Sequence, residues 1–324
     1  VPDLRNKILF TFLLLFVYRI GAHIPTPGIN AQVLIEFMNR QAQQGTLLAF
    51  WDLFAGGAFS KATIFALGIM PYISSSIIIQ LLTVVIPYFE KLQKEGESGR
   101  KKLTQYTRYG TVLISLIQSA GMAIWLKSGA IASGISMVIL PSPLFQIITI
   151  ITFTTGTIFI MWLGEQMSEY GIGNGISIII FVGIVARALP SSAELFTLVY
   201  KGQISIVNVI VLAAMGVFVT ALVVVLTLAA RKIPIQYPKQ IRGRRMTQAT
   251  KSYLPLRVNT AGVIPIIFAQ AVIMLPATLT MVIRSEAFSA GIMKYFGSSS
   301  ILYILVYAAL IIFFTYFYTA IQFN

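Results

Sequence analysis

The sequence lacks cysteine, contains a single histidine, His23, and is poor in charged residues. The absence of cysteine excludes disulfide bridges and thiolate metal sites, and one histidine excludes a multi-histidine metal site. Only 10% of the 324 residues are charged, whereas a soluble globular domain carries about 25%. The composition therefore indicates a chain whose solvent is the lipid bilayer, and we expect no cofactor.

Apolar residues are abundant and are arranged in long runs. They make up 57% of the chain, and the mean hydropathy is +0.83. Eight apolar segments are predicted at about 8–24, 62–86, 109–126, 144–163, 176–190, 205–230, 260–283 and 301–322. Most are long enough to cross a bilayer as helices of about 20 residues, and the alternation of a membrane β-barrel is absent. The fold class is thus an all-α, polytopic transmembrane helical bundle, in which the short fifth segment is tilted or buried.

Basic residues concentrate in two loops, which predicts the orientation of the chain. One loop follows the second segment (residues 91–108), and the other follows the sixth (residues 231–257) and contains no acidic residue. Lysine and arginine accumulate in cytoplasmic loops because their translocation is unfavourable. The opposite loops, which include Arg187, carry fewer basic residues. We therefore expect the N-terminus to be cytoplasmic, and the net charge of +14 to reflect topology rather than nucleic-acid binding.

Two stretches do not match simple spanning helices. Residues 46–61 are apolar but interrupted by Asp52 and by the pair Gly56–Gly57. They are too short to cross alone, which favours a re-entrant or plug-like half helix, or else an amphipathic loop packed on the outer surface. The seventh segment contains Pro265 and Pro276, which produce a kink either at a moving interface or as static packing.

Enzyme motifs are weak in this sequence. The stretch GIGNG (residues 171–175) does not follow a strand of a βαβ unit, so a tight turn between the fourth and fifth segments is a better interpretation than a phosphate loop. Glu165 and Glu169 lie four residues apart, but near a cytoplasmic helix end rather than in a pocket. Neither H-E-x-x-H nor G-x-S-x-G is present, which disfavours familiar membrane proteases and hydrolases.

Six stretches resemble the SecY family and occur in the family's order over nearly the whole chain. They are IPTPGI (24–29), FALGIMPYISSSIIIQLLT (65–83), KEGESGRKKLTQYTRYGT (94–111), MWLGEQMSEYGIGNGISIIIF (161–181), LPLRVNTAGVIPIIFA (254–269) and IIFFTYFYTAIQFN (311–324). The resemblance covers the first eight of the family's ten transmembrane helices. We expect the last two helices, and residues preceding Val1, to lie outside this sequence.

The resemblance implies a channel rather than an enzyme. SecY-like proteins pass unfolded polypeptides across the bacterial plasma (inner) membrane and release apolar segments sideways into lipid. Their two halves are inverted repeats that open like a clamshell. Residues 1–190 would then form the N-terminal half with helices 1–5 and the plug, and residues 191–324 an incomplete C-terminal half with helices 6–8.

The resemblance also implies an apolar ring at the constriction of the pore. Such a ring dewets when empty, so it holds back ions, yet it is compliant enough to close around a moving chain. Its members would be Ile69, Ile73, Ile176, Ile180 and Ile267. The two pairs are each spaced four residues apart, which places both members on one helix face. Ordinary packing would give the same spacing, so the assignment depends on the resemblance.

A plug and a lateral exit are further implications of the resemblance. The plug would comprise Phe50, Trp51, Asp52, Leu53, Phe54, Ala55, Gly56, Gly57, Ala58, Phe59, Ser60 and Lys61. We expect it on the outer side of the ring, with the two glycines giving a weakly held backbone. The lateral exit, between helices 2–3 and 7–8, would include Ser74, Gln80 and Asn259. Polar contacts worth about 0.6–2 kcal/mol would open for a signal sequence, and ordinary interhelical hydrogen bonds are the alternative.

The basic loops imply a docking surface. Its candidate residues are Arg100, Lys101, Lys102, Arg242, Arg244 and Arg245. In the family this side binds the SecA motor ATPase or the ribosome, and arginine suits acidic protein surfaces and RNA phosphates. These residues also retain the loops in the cytoplasm. The resemblance further implies SecE-like and SecG-like small membrane subunits, and polypeptides with signal sequences as substrates.

Two other function classes are compatible with the composition. A small-solute transporter also has broken helices, but it usually carries ionisable residues near the bilayer midplane. Here the interior charge is nearly limited to Arg19, with His23 nearer the outer end. A membrane enzyme requires clustered titratable groups, which the sequence does not show. Both classes are therefore disfavoured relative to the channel.

Overall fold

The computed structural model describes residues 2–30, 32–36, 52, 55–133, 138–236, 241–242, 245–246, 251–282, 291 and 300–323. Most of this part is helical. The helices are α1 (Pro2–Gly21), α2 (Met70–Val85), α3 (Pro87–Lys94), α4 (Glu97–Ser133), α5 (Ser142–Tyr170), α6 (Gly175–Tyr200), α7 (Ile206–Leu228), α8 (Ile264–Val282) and α9 (Ile301–Phe323). The strands are β1 (Ala230–Gln236), β2 (Ile241–Arg242), β3 (Arg245–Met246) and β4 (Lys251–Arg257).

Several helices are long and apolar enough to cross a membrane. Within the described residues, five segments meet this condition: Glu97–Lys127, Pro143–Tyr170, Gly175–Tyr200, Ile206–Leu228 and Ile301–Ile321. The bent pair α2 and α3 would be a sixth if it forms one span, and Ile264–Met274 is a shorter apolar helix. The prediction of an all-α, polytopic membrane bundle is confirmed.

The second apolar segment is only partly helical. The sequence predicted a helix over about 62–86, but residues 62–69 form turns and α2 begins at Met70. Pro71 occupies the first turn of α2, where its missing N–H costs nothing and its fixed φ favours a helix start. The prediction was wrong here because uniform apolarity does not distinguish a buried turn from a helix.

The turn residues before α2 are held by the stretch that contains IPTPGI. Pro25 and Thr63 form an antiparallel β-bridge. Ile64 donates its N–H to the carbonyl of Ile24 at 3.0 Å, and Thr26 donates to the carbonyl of Ala62 at 3.0 Å. Two stretches that are distant in sequence thus satisfy each other's backbone groups, as burial away from water requires.

A sharp bend separates α2 from α3. Ile86 has an extended backbone between the two helices, and Pro87 begins α3. A residue before proline is pushed out of the helical region by contact with the proline ring. The two helix axes differ by 98° as a result. The bend directs the chain away from the line of α2 just where the basic residues of the first loop begin.

The fifth segment is longer than the sequence indicated. We expected a short segment ending at Pro190, but α6 continues through this proline to Tyr200. Proline removes one backbone hydrogen bond from a helix interior, which kinks a helix without necessarily ending it. The turn before α6, residues 171–174, lies where the GIGNG stretch predicted it.

The chain divides into two compact units. The first contains Val1–Ser191 and Ile267–Ile311. Within it, α4 packs against both α2 and α5. Polar side chains join the apolar contacts, since the hydroxyl groups of Ser119 on α4 and Thr154 on α5 lie 3.0 Å apart in the buried interface.

The second unit contains Ser192–Ile266 and Ile312–Asn324. Its second basic loop is a β-hairpin, which the sequence did not predict. Strands β1 and β4 pair antiparallel from Ala230↔Arg257 to Gln236↔Lys251, and β2 pairs with β3 towards the tip. Residues 231–234 of β1 and 253–255 of β4 are exposed, as in a two-stranded ribbon with both faces accessible.

Substitution of Gly156 tests the close packing of α5 against the turns before α2. A methyl group on Gly156 would overlap the main-chain carbonyl of Ile64, whereas Gly216 on α7 has no neighbour within 4 Å of the same position. We expect Gly156→Ala to lower the free energy of unfolding by about 1–3 kcal/mol through overpacking. Gly216→Ala, the matched control, should be neutral or stabilising by up to about 1 kcal/mol. Thermal unfolding in detergent measures both, and equal midpoints would contradict the packing.

Candidate functional site

The two ring candidates on the second segment lie at the beginning of α2. Ile69 immediately precedes the helix, and its carbonyl accepts hydrogen bonds from the N–H groups of Tyr72 (3.1 Å) and Ile73 (3.2 Å). Ile69 is 2% exposed and Ile73 is 5% exposed. Both isoleucines are therefore buried at the point where non-helical backbone ends and the helix starts.

The remaining ring candidates lie on α6 and α8. Ile180 is buried, and Ile176 lies over Gly164 of α5, where a methyl group on the glycine would come within 2.9 Å of Ile176 Cγ1. This contact is ordinary helix packing for Ile176. Ile267 on α8 is half-buried. All five candidates belong to the same compact unit, and their function as a ring stays a prediction.

The plug segment, defined as residues 50–61, is described in part. Asp52 and residues 55–61 are described, whereas Phe50, Trp51, Leu53 and Phe54 lie outside the described residues. Residues 55–61 form consecutive turns. The expectation of a half helix is therefore wrong for this part of the segment, because glycine residues with positive φ interrupt any helical turn.

The described part of the plug segment is packed inside the first unit. Ala55, Ala58 and Phe59 are buried. The ring of Phe59 lies beside that of Trp125 on α4, with centroids 6.3 Å apart. This burial argues against an amphipathic loop on the outer surface, which was the alternative for these residues.

The two glycines of the plug segment differ in how closely their neighbours approach. Gly56 and Gly57 have φ angles of +64° and +85°, a backbone conformation that residues with a side chain rarely adopt. A methyl group on Gly56 would lie 2.9 Å from the Cα of Gly183 on α6. Gly56 thus lets two backbones come into contact, whereas the nearest atom to the same position on Gly57 is Arg187 Cδ at 4.0 Å; a weakly held backbone stays a prediction.

An ion pair between Asp52 and Arg187 is the feature that sequence reasoning missed. Arg187 Nη1 donates to Asp52 Oδ2, and the second carboxylate oxygen accepts a hydrogen bond from the N–H of Ser60 at 2.9 Å. The charge pattern alone assigned Arg187 to an outer loop. A weak signal was present, because a carboxylate in an apolar stretch requires a partner when it is buried.

Two of the three lateral-gate candidates form local hydrogen bonds. Gln80 Nε2 donates to Ser76 Oγ at 3.5 Å within α2. Asn259 Oδ1 accepts from the N–H of Gly262 at 3.0 Å, which closes the turn that leads into α8. Ser74 is half-buried on α2. These contacts correspond to ordinary local bonding in this conformation, and a gating function for the three residues stays a prediction.

Ser75, one residue after Ser74, makes the contact between helices. Its hydroxyl donates to the carbonyl of Thr107 on α4 at 2.7 Å, in a buried position. Gly110 on α4 faces this hydroxyl, and any side chain at Gly110 would overlap it. Ser74 was selected through the family resemblance for the lateral exit, so the contact of Ser75 does not test that assignment.

The first basic loop is partly neutralised by its own acidic residues. Lys101 Nζ lies 3.1 Å from Glu97 Oε1, and Lys102 Nζ lies 3.9 Å from Glu95 Oε2. Arg100 is exposed beside them at the start of α4. Exposed pairs of this kind contribute only about 0–1 kcal/mol, so both lysines can exchange their partners for an external acidic group.

The second basic loop presents arginines at the tip of the hairpin. Arg242 and Arg245 are directly opposite each other in the β2–β3 pairing, and Arg244 lies outside the described residues. Like charges directly opposite in a ladder destabilise it. Docking of an anionic partner at these arginines stays a prediction.

Comparison with known proteins identifies the family. A family model described as SecY matches residues 63–324. The protein translocase subunit SecY of Escherichia coli (strain K12) is 46% identical over 330 residues, which cover 99% of this chain and 72% of that protein. The chain belongs to the SecY family. The match of the family model includes the ring and lateral-gate candidates and begins after the plug segment.

Solved structures support the same fold for this SecY family chain. One structure, of a protein-conducting channel, aligns with a TM-score of 0.60 at 19% identity, covering 97% of this chain and 70% of the other. A second is a SecY protein whose plug domain stabilises the closed state and maintains a membrane seal; it aligns with a TM-score of 0.56 at 19% identity, over 86% of this chain and 58% of that chain. Together with the apolar helices, the family shows a multi-pass membrane protein that acts as a channel subunit.

Ser75 and Ser74 provide a matched test of the contact between α2 and α4. Ser75→Ala removes the donor to the Thr107 carbonyl, which should lower the free energy of unfolding by about 0.6–2 kcal/mol. Ser74→Ala makes the same chemical change on a neighbouring, half-buried position and should alter stability by less than about 0.5 kcal/mol. Thermal unfolding of the two variants in detergent measures the difference. A larger loss for Ser74→Ala would contradict the assigned helix phase.

Proposed function

We propose that this chain is the pore-forming subunit of a channel that moves unfolded polypeptides across the bacterial inner membrane. In this proposal the channel also releases apolar segments sideways into lipid. The observation that carries it is the buried, non-helical stretch of residues 55–69, which ends at the buried isoleucines of α2. Irregular backbone at membrane depth is tolerated only where protein buries it or where it lines a cavity.

The ring isoleucines would form the constriction of this pore. Ile69 immediately precedes α2 and Ile73 lies in its first turn, Ile176 and Ile180 lie near the start of α6, and Ile267 lies near the start of α8. Branched apolar side chains at a narrow point exclude ions because the ions lose hydration there. Their conformations adjust to different residues of a passing polypeptide, so the seal persists during transport.

The plug segment would close the resting pore on the outer side of the ring. The orientation with a cytoplasmic N-terminus supports this side, because the basic loops would then lie in the cytoplasm. Displacement of the plug and opening of the lateral exit would accompany entry of a signal sequence. The halves 1–190 and 191–324 would separate as the two sides of a clamshell.

Driving force would come from outside the chain. The arginines opposite each other in the β2–β3 pairing support docking of an anionic surface on the SecA motor ATPase or of ribosomal RNA. Small membrane subunits like SecE and SecG would complete the assembly and hold its halves together. The chain itself would be a passive conduit with no catalytic residue and no cofactor.

The ion seal gives a direct test of the ring. Serine substitutions at Ile69, Ile73, Ile176, Ile180 and Ile267 place hydroxyl groups at the constriction, which favours wetting. We expect the resting ion conductance of the full-length protein, reconstituted with its co-purifying subunits in planar bilayers, to rise by at least about tenfold.

The control for the ring variants uses isoleucines on exposed helix faces. Ile117 on α4 and Ile210 on α7 are 56% and 63% exposed, and serine at these positions should leave conductance unchanged. Equal conductance of the ring variant, the control variant and the wild type, with all three folded, would mean that the five isoleucines serve packing only.

The hairpin gives a second test. We expect Arg242→Glu with Arg245→Glu to weaken binding of the motor ATPase or the ribosome by at least about tenfold, because two favourable charges become repulsive. Lys232→Glu with Arg257→Glu makes the same charge change at the base of the hairpin, where both residues are exposed, and should weaken binding less. Binding is measured by flotation with proteoliposomes. Equal losses for both double variants would show that net charge alone, not the tip, determines docking.

A further inference from the structure

Asp52 is unusual because it carries charge into the interior. Among the described residues, it is the only charged one that is buried. The side chain of Asp52 is 5% exposed, while that of its partner Arg187 is 41% exposed. The carboxylate of Asp52 is therefore shielded from solvent, whereas the side chain of Arg187 is partly exposed to solvent.

The carboxylate of Asp52 joins its own loop to another helix. Oδ1 accepts the N–H of Ser60 at 2.9 Å, Oδ2 accepts from Arg187 Nη1, and the main-chain carbonyl accepts the N–H of Gly57 at 2.9 Å. Two of these bonds close the loop 52–60 on itself. The ion pair connects that closed loop to a side chain of α6.

The residues of α6 that contact the plug segment lie on the same helix face as the ring candidate Ile180. Ile180, Gly183 and Arg187 are spaced i, i+3 and i+7, so they share one helix face. Gly183 touches the backbone of Gly56, and the Arg187 side chain passes Gly57, with Cδ 4.0 Å from a methyl group placed there. At 1.5 Å per residue, the guanidinium is attached about 10 Å beyond Ile180 along the helix.

We propose that the plug ion pair, Asp52–Arg187, holds the plug segment in its docked position against α6, and that its rupture is a required step in opening. This inference rests on the proposed function of residues 50–61 as a plug. Undocking separates the pair and carries both charges into a wetter environment. Removing one partner instead leaves the other charge behind in the docked state, where an unpaired buried charge is strongly unfavourable.

The unequal burial of the pair predicts unequal effects of the two neutral variants. Arg187→Gln leaves the buried carboxylate of Asp52 without its counterion, so docking should weaken most. Asp52→Asn keeps an oxygen that accepts the N–H of Ser60. It leaves only Arg187 without a counterion, and because Arg187 is partly solvated, docking should weaken less. The double variant contains no buried charge and should dock better than Arg187→Gln alone.

Cysteine labelling measures undocking directly, because the chain has no cysteine of its own. Ala58 is 1% exposed in the docked segment, so Ala58→Cys reacts with a membrane-impermeant maleimide only after the segment leaves. The assay uses the full-length protein with its co-purifying subunits in proteoliposomes. We expect labelling about tenfold faster with Arg187→Gln and about threefold faster with Asp52→Asn. The double variant should return to the slower rate, and Arg187→Lys should stay within about twofold of the parent.

A matched control separates the ion pair from charge in general. Lys61 lies in the same segment and has no ion-pair partner among the described residues, so Lys61→Gln should leave the labelling rate unchanged. Labelling of the double variant as fast as that of Arg187→Gln, or faster, would overturn the proposal. If the Arg187→Gln variant fails to assemble, an Asp52→Asn variant that is labelled at the parental rate would overturn the proposal.

The plug function itself is tested by a different readout. Deletion of residues 50–61 should raise resting ion conductance if the segment seals the pore. If the deletion raises ion conductance but both charge variants are labelled at the parental rate, the segment is a plug and the ion pair does not hold it. Absence of leakage on deletion, with altered labelling in the charge variants, would reject the plug and leave Asp52–Arg187 as a structural contact.

Discussion

The structure depends on one requirement of the bilayer: backbone polar groups that lack water must find partners within the protein. Helices meet this requirement locally, but residues 55–69 are not helical. Their bonds run to each other and to the stretch that contains IPTPGI, as in the donation from Ile64 to Ile24 at 3.0 Å. The surrounding helices must approach this backbone closely, which explains why Gly156 of α5 and Gly183 of α6 lie against it. The arrangement of the first unit follows from covering this segment.

The same segment brings apolar and charged contacts onto one face of α6. Ile180 provides an apolar side chain near the start of the helix, and Arg187 provides a cation two turns later. An apolar constriction deforms readily and holds no particular occupant, whereas an ion pair has a defined partner and geometry. A channel that must remain sealed and also open requires both kinds of contact. The proposed division assigns the ion seal to the isoleucines and the docked position of the plug segment to Asp52.

Sequence reasoning predicted features that depend on local composition. The long apolar runs of α4, α5, α7 and α9 and the turn at 171–174 were predicted correctly, because length and glycine content report them directly. The turns at 62–69 were missed because that stretch is as apolar as a helix. The hairpin of β1 and β4 was missed because its basic residues had already been explained by topology. The pair Asp52–Arg187 was missed because it joins residues far apart in sequence: a carboxylate in an apolar stretch indicates that a partner is needed, but no local pattern reports which residue it is.

The most direct test of the channel is to locate a polypeptide during its passage. A translocating substrate with one cysteine is arrested in the full-length protein, and disulfide formation is measured with single cysteines placed at Ile73, Ile180 or Ile210. The account predicts disulfides at Ile73 on α2 and Ile180 on α6, which are both buried, and none at Ile210, which is exposed on α7. Disulfide formation at Ile210 without any at the two buried isoleucines would contradict a pore lined by the starts of α2 and α6.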